Sequence, residues 1–225
     1  MILEDRSVKL IENFTTWQGE GPDSGRTMVI LRFKTCNLHC PWCDTAVKMR
    51  VSGEAPHLMS DIQKTIKEKR AGILITGGEP TVGRHIEDSI TLLNNLDYTI
   101  ANVESNGFDL EGLIKRIDKS KNVKYIFSPK IFSFEDNKFA KSLSEKLFHY
   151  DNVYFKVVWE EGSTDMFCKW LSEVVEGTSI ANRVWLMPQG ATRADLIRNS
   201  ERVFDACEKY KFNFSSRDHI IYGFI

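Results

Sequence analysis

Long apolar runs are what this sequence most plainly lacks. No stretch approaches the roughly 20 residues that a spanning helix needs, which excludes a helical membrane protein. The opening MILEDRSVKLIENF has acidic residues early and no apolar segment of a secretion signal, so the chain is expected to be cytoplasmic. An excess of either charge is also missing. Thirty basic and 31 acidic residues leave a net charge of -1, which argues against a partner bound chiefly through nucleic-acid phosphates. Proline is scarce at six, and neither repeats nor low-complexity tracts occur, so no linker is visible and residues 1–225 are expected to form one domain. With 42% hydrophobic and 27% charged residues, disordered and fibrous classes drop out. Cysteine is sparse too, at five, and in a reducing compartment clustered thiols mean metal more often than disulfide.

What is present is an alternation of strand-like and helix-like segments. Apolar or β-branched runs at Met28–Phe33, Gly72–Thr76, Tyr98–Val103, Val123–Phe127, Val153–Trp159 and Arg183–Met187 predict strands. Amphipathic stretches at His57–Arg70, Arg84–Leu96, Lys138–Tyr150, Thr164–Val175 and Thr192–Tyr210 predict helices, the first with Ser60 and Gln63 spaced as a capping box. Such alternation implies right-handed βαβ units and a parallel sheet. About six units predict an α/β fold in the form of an open, partial parallel barrel, with ligand-binding residues after the strand ends.

Three of the five cysteines lie together in Cys36-Asn37-Leu38-His39-Cys40-Pro41-Trp42-Cys43, directly after a predicted strand. Three neighbouring thiolates can wrap one metal centre. An iron–sulfur cube usually takes four, so three leave one iron open to a ligand. The alternative is structural zinc completed by His39 or a distant cysteine. The spacing of three then two differs from a paired CxxC knuckle, and no second knuckle exists. Cys168 and Cys207, each isolated in a helical segment, read as small buried hydrophobes.

CxxxCxxC with an aromatic before the last cysteine resembles the signature of the radical S-adenosylmethionine (SAM) superfamily. The resemblance implies a [4Fe–4S] cluster on Cys36, Cys40 and Cys43, with SAM chelating the fourth iron and cleaved by an electron to release a hydrogen-abstracting radical. Three further turns carry the same likeness. Thr76-Gly77-Gly78-Glu79-Pro80 resembles the GGEP motif that holds the SAM amino group. Val103-Glu104-Ser105-Asn106-Gly107 resembles a segment whose glutamate faces SAM. Ser128-Pro129-Lys130 offers a partner for the SAM carboxylate, and Gln189 in Met187-Pro188-Gln189-Gly190 a contact to the adenosine end.

Thr16-Trp17-Gln18-Gly19-Glu20-Gly21-Pro22, Arg32, Cys43-Asp44-Thr45 and Ser216-Arg217-Asp218-His219 narrow the likeness to the 7-carboxy-7-deazaguanine synthases. That resemblance implies ring contraction of 6-carboxy-5,6,7,8-tetrahydropterin with loss of ammonia. It assigns Gln18, Gly19, Glu20, Arg32, Thr76 and His219 to the pterin and Thr45 to Mg²⁺, and it implies a homodimer reduced by a flavodoxin or ferredoxin, with neither nucleic acid nor membrane as partner. Two departures stand out. The family usually reads Ser-Pro-Arg-Leu-His near the C-terminus, and commonly has glycine where this chain has Lys34-Thr35. The competing readings are an activating enzyme that takes hydrogen from a partner protein's glycine, and a zinc-dependent binding module.

Overall fold

A computed structural model describes residues 6–159 and 162–224 and divides them into two compact units. One comprises residues 6–18 and 25–125, the other residues 19–24 and 126–224.

In the first unit, β1 (Ser7–Leu10) pairs antiparallel with β4 (Ala55–Leu58), and β2 (Glu12–Trp17) antiparallel with β3 (Thr27–Phe33). β3 then runs parallel to β5 (Gly72–Gly77), and β5 parallel to β6 (Ala101–Ser105). Met28, Leu31, Ile73, Ile75 and Val103 are fully buried, as parallel strands covered on both faces require. The crossovers contain α1 (Ala46–Val51), α2 (Met59–Lys69), α3 (His85–Asn95) and α4 (Leu110–Arg116). β7 (Val123–Phe127) carries the boundary between the units.

Three expectations need correction here. The stretch predicted as a helix from His57 begins as strand, because His57 and Leu58 pair with Val8 and Ser7. No Ser60–Gln63 capping box forms: α2 starts after Leu58 without a side-chain cap, and Gln63 instead accepts from the Asp97 N–H and donates to its carbonyl. The strand expected from Tyr98 begins only at Ala101, since Tyr98 turns its hydroxyl back to the Leu93 carbonyl at 2.8 Å.

The second unit places β8 (Val153–Trp159), β9 (Val184–Pro188) and β10 (Asn213–Phe214) in parallel, with α5 (Phe134–Leu147), α6 (Ser163–Val175), α7 (Arg193–Tyr210) and α8 (Asp218–Tyr222). Phe155 packs edge-on to Phe127 and tilted against Phe148 in its core. Cys168 and Cys207 are buried there, as expected, and burial pushes the Cys207 thiol up to about 11. Thr192 caps α7 by accepting from the Asp195 N–H. α5 starts earlier than expected because Ser133 caps it in the same way through Asp136. Arg183 stays outside β9, its guanidinium donating to the Tyr150 and Val153 carbonyls.

Six strands, β3 and β5 to β9, are each followed by a helix, with β4 and α2 inserted after the first of these pairs, and β2 and β10 each pair with one strand among the described residues. The fold is therefore the predicted α/β class with parallel βα units and open edges.

Candidate active site

The cysteine loop leaves β3 at Phe33 and enters α1 at Ala46. Cys36, Cys40 and Cys43 are half-buried thiols outside any disulfide, and His39 between them is exposed. Leu38 N–H points at Cys36 Sγ (3.4 Å), and Thr45 Oγ1 lies 3.4 Å from Cys43 Sγ. Beneath the loop, the turn after β5 is bonded to its stem: Gly78 N–H donates to the Phe33 carbonyl (2.9 Å) and Glu79 N–H to that of Thr35 (2.8 Å).

That approach explains the two glycines. Gly77 has φ +123°, and a Cβ there would sit 2.3 Å from the Phe33 carbonyl oxygen; one on Gly78 would sit 2.1 Å from that of Thr35. The space beside these two glycines is taken by the chain leading into Cys36.

Glu79 belongs to the same turn. Its carboxylate, 1% exposed, accepts from Thr81 N–H (3.1 Å), Thr81 Oγ1 (2.7 Å), Ser105 Oγ (2.6 Å) and Asn106 N–H (2.7 Å). Three of these bonds fall on Oε1 and one, from Asn106 N–H, on Oε2. Glu79 thereby joins the turn after β5 to the turn after β6.

Elsewhere in this unit, Thr76 Oγ1 donates to Glu104 Oε2 (3.3 Å), which brings together two residues assigned to different ligands. Arg32 Nε donates to Glu12 Oε2 (2.6 Å), its register partner on β2. Gln18 is buried and closes the β2–β3 hairpin through backbone bonds with Arg26 and Gly25.

The second unit gathers Gly19, Glu20 and His219. Lys156 Nζ, from the middle of β8, donates to Glu20 Oε2 at 2.5 Å, and Arg217 Nε donates to Oε1 at 2.9 Å. His219 Nε2 lies 3.7 Å from the same Oε1. Burial alone would raise the Glu20 carboxyl, but Lys156, then Arg217 and His219, hold it well below the usual carboxylate range. Gly19 has no room for a side chain, because its Cβ would fall 2.2 Å from His219 Nδ1.

Backbone bonds complete this union. Asp218 N–H donates to the Gly19 carbonyl, and Gly21 N–H to Ser215 Oγ. Where the chain departs from Ser-Pro-Arg-Leu-His, the new side chains bond each other: Ser216 Oγ donates to Asp218 Oδ1, and Ser24 Oγ donates to Asp218 Oδ2 at 2.7 Å. Ser128 is buried and accepts from Lys130 Nζ (2.7 Å). Gln189 is half-buried and precedes Gly190, whose carbonyl accepts from Arg217.

A profile described as the radical SAM superfamily matches residues 30–150, from β3 through α5. The chain belongs to the radical SAM superfamily. A 7-carboxy-7-deazaguanine synthase from Aquifex aeolicus is 31% identical over 157 residues, covering 63% of this chain and 71% of that protein. One from Hyperthermus butylicus is 27% identical over 222 residues, covering 95% and 92%. The crystal structure of QueE from Escherichia coli superposes with a TM-score of 0.60 over 95% of each chain at 18% identity, a shared fold.

The donor set fits the cofactor of the superfamily. Three soft thiolates on one loop suit iron–sulfur ligation. Among the described residues no three of His, Cys, Asp and Glu are drawn together tightly enough to hold a single metal ion, as the four ligands of structural zinc must be. A cube asks less, since each thiolate takes a different corner.

Sequence reasoning missed Lys156, Arg217, Ser105 and Asn106 as working residues. Lys156 did leave a signal, as the one charged residue of the apolar run VYFKVVW.

Proposed function

We propose that the chain is a 7-carboxy-7-deazaguanine synthase, converting 6-carboxy-5,6,7,8-tetrahydropterin to 7-carboxy-7-deazaguanine with loss of ammonia. The observation that carries this reading is the union of the Gly19–Gly21 stretch with Ser215–His219 through Glu20, Arg217 and the Gly19–His219 contact. These are two of the stretches through which the sequence resembles enzymes of that substrate, and hydrogen abstraction from a partner protein gives no account of their joining.

When bound on Cys36, Cys40 and Cys43, a [4Fe–4S] cluster supplies the electron that cleaves SAM. In this reading Gly77, Gly78, Glu79, Glu104, Ser128, Lys130 and Gln189 hold SAM, and Glu79 also fixes its own turn. Glu20 stays ionised and accepts from the N–H edge of the pterin, to which Gln18, Gly19, Thr76 and His219 are also assigned. Arg32, anchored by Nε to Glu12, presents its guanidinium fork to the substrate carboxylate. Thr45 and oxygens of that carboxylate make a hard-cation site for Mg²⁺. We further infer that the enzyme is a cytoplasmic homodimer reduced by a flavodoxin or ferredoxin, and that residues 1–225 act as one functional domain.

The test is anaerobic reconstitution followed by incubation with reductant, SAM, Mg²⁺ and 6-carboxytetrahydropterin. Both 5′-deoxyadenosine and 7-carboxy-7-deazaguanine are expected. SAM cleavage without the deazaguanine would overturn the substrate and keep the superfamily.

A further inference from the structure

Asn106 follows β6 and is fixed at both ends of its peptide and side chain. Its N–H is bound by Glu79 Oε2 (2.7 Å), and its Oδ1 accepts from the Phe108 N–H at 3.1 Å. With the oxygen so engaged, chemistry assigns the NH₂ group to the opposite side of the amide. That group donates to Asn37 Oδ1 (2.9 Å) and lies 3.8 Å from Cys36 Sγ. Asn106 thus reaches a cysteine 70 residues earlier in the chain.

Ligation by iron changes what Cys36 can do. As a thiol its sulfur points at Asn37 Oδ1, 3.9 Å away. As a thiolate it only accepts, and the donors facing it are Leu38 N–H and the Asn106 amide. A hydrogen bond to a ligand sulfur favours the form carrying the extra electron, one of the ways proteins set cluster potentials.

We propose that Asn106 is a redox-tuning residue, donating to the Cys36 thiolate and raising the potential of the cluster, and that Glu79 is its positioning residue. The step concerned is the entry of one electron into the oxidised cluster, with no bond made or broken and no proton moved. This inference rests on the cluster assigned above. A turn-forming role alone would need just the Asn106 oxygen, which aspartate also has.

The test uses the full-length reconstituted protein with Asn106→Leu and Asn106→Asp, reading iron and sulfide per chain and following the reduced cluster by electron paramagnetic resonance during a dithionite titration. Both variants are expected to load the cluster as the parent does. Asn106→Leu is expected to hold about tenfold less reduced cluster relative to oxidised at a given poise, about 59 mV for a one-electron couple. Asn106→Asp keeps the shape and the turn but loses the N–H and adds negative charge, so its midpoint should fall at least as far. Unchanged midpoints would overturn the proposal. So would failure of both variants to assemble a cluster, because a tuning contact is dispensable for assembly. A parent protein that binds no [4Fe–4S] cluster would instead overturn the underlying assignment.

Discussion

Glu79 in the first unit and Glu20 in the second are both buried carboxylates beside residues assigned to the reaction, yet the donors around them differ. Glu79 is bound by two hydroxyls and two backbone N–H groups. Glu20 is bound by an ammonium and a guanidinium. The neutral donors stitch together turns that carry the cysteine loop and Asn106, so Glu79 contributes geometry. The cations fix a protonation state as well, so Glu20 contributes a charge of known sign in a buried setting. A buried ion pair is costly to break from one side, because the partner left behind keeps its charge without its counter-charge.

The largest expected effect separates the chemistry of the first unit from the packing of the second. Cys40→Ala should abolish cluster binding and reduce SAM cleavage to background while far-UV circular dichroism is unchanged. Iron still bound at the parent level would contradict the assignment of that thiolate. Next comes Lys156→Met, which leaves Glu20 buried with one cation fewer. It should cost about 3–5 kcal/mol in urea unfolding, with cluster loading retained. Loss of the cluster in this variant would erase the proposed division of labour.

Ser105→Ala removes one neutral donor from Glu79, and the expected cost is smaller, about 1.5–3 kcal/mol. A cost equal to that of Lys156→Met would mean that charge is not what distinguishes the two carboxylates. Acid titration probes the same contrast. Glu20 has a depressed pKa in the folded protein, so below the ordinary glutamate value of 4.5 the unfolded chain takes up a proton that the native one does not. Its stabilising contribution is therefore complete above pH 4.5 and is lost as pH falls through that window. Glu20→Gln should flatten this part of the stability–pH curve; an unchanged slope would remove Glu20 as its source. The smallest effect belongs to Asp218→Leu, about 1 kcal/mol, measured as a shift in urea midpoint.

Much of the scaffold was legible because burial and pattern agree in it. The runs at Val123–Phe127 and Val153–Trp159 are strands with the bounds their apolar content predicts. Thr192 and Asp195 cap α7 as their spacing predicts, since a cap is a local event. His57 and Leu58 were misread because their strand exists through pairing with Ser7 and Val8, far away in sequence. The candidate site was legible as types of residue after strand ends. Its wiring was not, because the partners of Glu79 and Glu20 come from 26 and more than 100 residues away. Nor does a spacing reveal that Gly78 faces a peptide carbonyl.

The bond between Ser216 and Asp218 also bears on how such a segment can change over time. Each of the two side chains is useful while the other is present: without Asp218 the Ser216 hydroxyl loses its acceptor, and with proline at 216 one oxygen of Asp218 loses its donor. The two positions are therefore epistatic, and a double-mutant cycle should show coupling. A lineage passing from proline and leucine to serine and aspartate would find the single exchanges less favourable than the pair. Ser24, donating to the other Asp218 oxygen, extends that dependence into the loop that holds Glu20.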